Sequence, residues 1–103
     1  MLLASRPIDI GTVNWHHILV KRKHQKTLEL IFKRPVSGNV QWRDVIALLT
    51  ALGAEMEEAE GSRVLIILNE KVMIQHRPHP SPSMDKGAVA SMREFLAMCG
   101  YRS

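Results

Sequence analysis

The chain has 103 residues and a mass of 11.7 kDa, enough for one domain and too little for two independent hydrophobic cores. Hydrophobic residues make up 46% and charged residues 23%, which supports a buried core and excludes compositional disorder. The formal charge of +4 points to a polyanionic partner but is unevenly spread: residues 1–40 carry seven Lys/Arg against Asp9 and Glu29, a net +5, while residues 41–103 are net −1.

Residues 1–22 show no sustained periodicity and are expected to form an N-terminal extension, with one short strand over Ile18–Val20. Their Met-Leu-Leu-Ala start meets Arg6 and Pro7 at once, far short of a signal peptide or of the roughly 20 apolar residues of a membrane span, so no membrane partner is expected. One cysteine, Cys99, cannot form an intrachain disulfide, and a short chain without such staples suits a reducing compartment, the cytosol.

Residues 23–33 set Leu28, Ile31 and Phe32 on one side among Lys23, Lys26 and Lys33, and Pro35 ends the pattern: a short basic amphipathic helix, with its linker reaching residue 40. From Trp42, the positions Val45, Ile46, Leu49 and Leu52 repeat with helical spacing until Gly53. Three antiparallel strands are expected next. A glutamate-rich stretch over 54–60 turns at Glu60-Gly61, Val64–Leu68 is an unbroken apolar run, and Asn69-Glu70 joins it to Val72–Ile74 as a tight hairpin. Prolines at 78, 80 and 82 exclude both helix and central strand, and Val89, Met92, Phe95, Leu96 and Cys99 mark a last helix stopped by Gly100. The architecture is therefore α+β: helix, three-stranded antiparallel sheet, helix over 41–103, preceded by a basic helical arm.

Leu49-Thr-Ala-Leu-Gly53, Gly61-Ser62 before the hydrophobic strand, the histidine and proline loop at 76–80, and Lys86-Gly87 opening the last helix occur in an order and spacing that resembles the HicA family of bacterial toxins. The resemblance covers roughly residues 41–99. It implies a fold like the double-stranded-RNA-binding domain, an mRNA substrate, cleavage without a metal or small-molecule cofactor, and restraint by a HicB-type antitoxin. One departure stands out: family members read glycine, serine, histidine at the turn, the histidine being catalytic, where this chain has Gly61-Ser62-Arg63. A guanidinium keeps its proton and cannot accept one from a ribose hydroxyl, although it can hold phosphate or stabilise developing charge. A non-catalytic module that retains the RNA or antitoxin surface is thus the alternative reading.

Metal-independent RNA cleavage needs a base for the 2′-hydroxyl, an acid for the leaving oxygen and a cation for the phosphorane. His76, His79 and Arg63 are the catalytic candidates. Strand alternation also allows His76 to lie on the side of Val72 and Ile74, capping the edge of the core. A metal pair is disfavoured, since His76 and His79 have no regular third ligand and proline lies between them. Ser62, Arg77 and Lys86 are candidate RNA contacts of the compact part, and Lys23, Lys26, Lys33 and Arg34 those of the arm. Lys86 opposes its helix dipole unless Asp85 or a bound anion compensates. The glutamates at 55, 57, 58 and 60 read as a solvated edge strand. Trp42 starts the apolar face of its helix, which points to the core, and both Trp15 and Trp42 are able to stack on unpaired bases.

Overall fold

The computed structural model describes residues 21–102; the expected strand at Ile18–Val20 and Trp15 lie outside them. Three helices and one sheet follow in the order α1 (Arg22–Phe32), α2 (Trp42–Ala51), β1 (Glu55–Ala59), β2 (Arg63–Leu68), β3 (Lys71–His76) and α3 (Lys86–Met98). The sheet is antiparallel in the order β1-β2-β3. The helix, three-stranded sheet and helix expected from the sequence are all present, with the basic helix ahead of them.

The hairpin turn sets the sheet's polarity. Asn69 and Glu70 both have positive φ, 52° and 67°, as a two-residue turn matched to strand twist requires. This pairs Leu68 with Lys71, Ile66 with Met73 and Val64 with Gln75. Val64, Ile66 and Leu68 are buried, so Met73 and Gln75 share their face and turn toward the helices. Val72 and Ile74 are left 60% and 54% exposed. The core-edge reading of His76 is thereby corrected: it follows Val72 and Ile74 onto the open face and is itself exposed. Hydrophobicity alone selects the wrong face of β3, because turn geometry outweighs it.

The core cluster joins Val45, Leu48 and Leu49 of α2, the inner row of β2, and Val89, Met92, Phe95 and Leu96 of α3. It also contains Leu28 and Ile31 of α1, and Val40 from the connection. The basic helix is therefore packed onto the body through its apolar stripe while Lys21, Lys23, Lys26 and Lys33 stay exposed. Local chemistry does little for α1, which has no side-chain cap and begins with Lys21, Arg22 and Lys23 against the helix dipole. At the far end of the body, Asn69 Nδ2 donates to the Cys99 carbonyl at 2.8 Å and Cys99 Sγ donates to the Leu68 carbonyl at 3.3 Å, tying the hairpin to the end of α3.

Two substitutions test this packing. Ile31→Ala, at a fully buried position, is expected to cost about 2–5 kcal/mol in urea unfolding, whereas a detached arm would show almost no change. Glu70→Gly is expected to stabilise by about 1 kcal/mol, because glycine adopts the left-handed turn without a Cβ clash; an unmoved urea midpoint would contradict it.

Candidate functional site

One end of the sheet gathers most of the chemically active side chains. The β1–β2 connection is a single 3-10 turn, Glu60–Ser62, in which Gly61 and Ser62 take φ of 69° and 64°. Glycine does so freely, while Ser62 bears a cost of roughly 1–2 kcal/mol. The turn is held from both sides: Arg63 Nε donates to the Glu60 carbonyl at 2.9 Å, and the Arg77 amide donates to the Ser62 carbonyl at 2.8 Å. Arg63 and His76 are direct cross-strand partners on the open face of the sheet.

Arg77, one residue beyond β3, reaches across the sheet end. Its guanidinium donates to the Glu58 carboxylate of β1. That hydrogen bond is the main reason the Glu58 carboxyl is held below its ordinary range and the guanidinium above its own. Both side chains are solvent-exposed, so the pair is screened and contributes little to stability.

The loop after Arg77 is fastened to the start of α2. The Trp42 amide donates to the Pro82 carbonyl at 3.0 Å, the Met84 amide to the Val40 carbonyl at 2.8 Å, and Gln41 Nε2 to Ser83 Oγ at 2.9 Å. The first turns of α2 and α3 are thus brought to the same end as the Gly61 turn. Gln41, Trp42, Arg43, Arg77, Pro78 and Pro82 line a cleft of about 380 Å³ there. At the start of α3, Asp85 Oδ1 accepts from the Ala88 amide at 2.8 Å, so the helix is capped by its own carboxylate, and Lys86 stays exposed with its stem passing Gly38.

A second, smaller groove runs between α1 and α2, lined by Lys23, His24, Lys26, Thr27, Leu30 and Asp44 among others. His24 is only 8% exposed. Burial, then the charges of Lys23 and Lys21, push its imidazole below the ordinary value, with Asp44 opposing them.

The fold therefore divides the sequence-derived candidates. Ser62, Arg63, His76 and Arg77 are joined by strand pairing or direct hydrogen bonds, and His79 stands on the proline loop that continues from them. Lys86 lies two residues past Met84, which is bonded to Val40 beside the α2 start. Lys23 and Lys26 belong to the α1 groove, and Lys33 and Arg34 to the opposite end of α1, where Lys33 is the C-cap. Arg43 and His24 are not among the sequence-derived candidates, and Glu58 reads there only as part of a solvated edge strand. Arg43 had a visible signal, a cation next to a tryptophan at a helix start; the Glu58–Arg77 pair spans 19 residues and has none. Among the described residues, no three His, Cys, Asp or Glu side chains are grouped so as to hold a metal ion, and no helix is long and apolar enough to cross a membrane.

Comparison with known proteins gives one match, over residues 42–97, more than half of the chain, to the family model described as HicA toxin of bacterial toxin-antitoxin. No curated protein and no solved structure matches the chain.

His24 makes a pH test. With its folded pKa below the ordinary 6.5, the native state binds this proton less readily than the unfolded chain does. Its contribution is complete above the unfolded value and is lost as pH falls from there through the lowered folded value. The melting temperature is expected to drop between about pH 7 and pH 5 by less in His24→Leu than in the wild type; equal drops would refute the assignment.

Proposed function

Because the chain belongs to the HicA toxin family of bacterial toxin-antitoxin systems, we propose that it acts on RNA, as an mRNA interferase of the cytosol held in check by a HicB-type antitoxin. The observation that carries this reading is the cross-strand pairing of Arg63 with His76 at the sheet end from which the proline loop bearing His79 continues. Such a group can bind a phosphodiester and move protons around it.

In the reaction, one histidine takes the proton of a ribose 2′-hydroxyl as its oxygen attacks the adjacent phosphorus. The other histidine protonates the departing 5′-oxygen, leaving a 2′,3′-cyclic phosphate and a free 5′-hydroxyl. His76 and His79 share the base and acid roles. Arg63, beside His76, stabilises the charge that builds on the phosphorane oxygens, and Arg77, on the helix side of the sheet, holds a neighbouring phosphate. Lys86 and the α1 cations Lys23, Lys26, Lys33 and Arg34 add phosphate contacts that are salt-sensitive and indifferent to sequence. Ser62 supplies an exposed hydroxyl at the turn for the same backbone.

A second reading, a module that binds RNA or antitoxin without cutting, is favoured by Arg63 itself, a permanent cation where the family's proton acceptor belongs. The two differ in one assay. The purified protein is expected to cleave RNA in the presence of chelator, and His76→Ala with His79→Ala together are expected to lower the rate by about 100-fold or more while RNA is still retained on a gel. Full activity of the double variant would overturn the histidine roles. Intact RNA with the wild type, still shifted on the gel, would select the binding module, and Arg63→His is then the variant expected to gain cleavage.

A further inference from the structure

The cleft beside the sheet end has a composition that phosphate binding alone does not explain. It is lined by Trp42, half-buried against the core, by Pro78 and Pro82, and by the two cationic residues Arg43 and Arg77. The walls are fixed, because the Trp42 amide is bonded to the Pro82 carbonyl and Gln41 to Ser83. A cleft that combines an indole and two proline rings with two guanidiniums suits a ligand that is flat and apolar in the middle and anionic at both ends. At about 380 Å³ it is near the small end of ligand-pocket sizes, which suits a single planar group.

We infer that this cleft takes one unpaired nucleobase, stacked on Trp42, with the flanking phosphates held by Arg43 and Arg77. The inference rests on the RNA-directed reading of the same sheet end and narrows its substrate class to single-stranded RNA. In a duplex the base faces are covered by their neighbours, so only backbone and groove edges are offered and the indole has nothing to hold. In a single strand every base has a free face, and stacking on an aromatic side chain adds affinity whatever its identity. Arg77 enters this contact already engaged by Glu58, whereas Arg43, exposed at the first turn of α2, has no ion pair among the described residues.

The test uses the full chain in a Trp15→Phe background, so that all tryptophan emission comes from Trp42. Three probes of equal length are titrated at one salt concentration: a single-stranded oligoribonucleotide, its fully paired duplex, and an abasic strand carrying the same phosphates. The single strand is expected to quench the emission saturably, in step with binding followed by fluorescence anisotropy, while duplex and abasic strand bind with little quenching. Trp42→Ala should weaken the single strand by roughly 5- to 150-fold and leave the abasic strand unchanged, and Trp42→Phe should recover most of the loss. Since Trp42 packs on the core, Arg43→Gln at an exposed position is the companion: it should lower single-strand affinity and reduce the salt slope by about one. Tight binding of single-stranded RNA without quenching, or equal losses for all three probes, would overturn the cleft assignment and leave RNA binding intact. Failure to bind any of the three at low salt would remove the RNA reading, and the inference with it; quenching by purified antitoxin but by no RNA would give the cleft to a protein segment instead.

Discussion

In the β2–β3 hairpin, a slip of one residue would bury Val72, Ile74 and His76 and turn Met73 and Gln75 outward. The observed register prevents this because the two-residue turn at Asn69-Glu70 leaves only one way to pair the strands. The site depends on that constraint. With it, Arg63 and His76 oppose each other on the open face, and Arg77 exits β3 with its amide on Ser62 and its guanidinium on Glu58. The cost is a polar Gln75, 7% exposed, on the inner face where an aliphatic residue would pack more easily.

Most of the fold was legible in the sequence because its signals are local. Gly53, Gly61 and Gly100 all take positive φ at breaks that the pattern marks, and Pro35 and the prolines from 78 to 82 bound segments that form neither helix nor named strand. What was not legible is relational. Periodicity makes the aliphatic face of β3 the inner one, and only the register across the turn reverses it. Similarly, a row of glutamates in β1 reads as uniform solvated charge, yet among the described residues Glu58 meets a cation, Arg77, which follows β3, a strand that is not a neighbour of β1 in the sheet. Of the candidate site, residue types and their cluster at 62–63 and 76–79 were readable. Their separation from the α1 cations, and the cleft at Trp42 and Arg43, required the bonds that fasten 82–84 to 40–42.

The match to the HicA family begins at residue 42, but among the described residues the hydrophobic core already includes Leu28 and Ile31. Helix α1 is thus both structural and electrostatic: its apolar stripe completes the packing, and its lysines carry much of the chain's positive charge on the outside. The two roles are coupled, because α1, with an uncapped and like-charged first turn, gains its support from burial of Leu28 and Ile31 against the body. Charge can be concentrated there only as far as that burial offsets the repulsion.

The Glu58–Arg77 contact sets a condition on any anion that approaches Arg77. A carboxylate tethered to the same domain is a competitor at a fixed and high local concentration, present before any ligand arrives. A lone phosphate must displace it and gains little by the exchange, since one oxyanion replaces another. A chain of phosphates gains contacts elsewhere at the same time and can bear the loss of this one. In the RNA-directed reading proposed above, the pair would therefore favour a chain of phosphates over a single one.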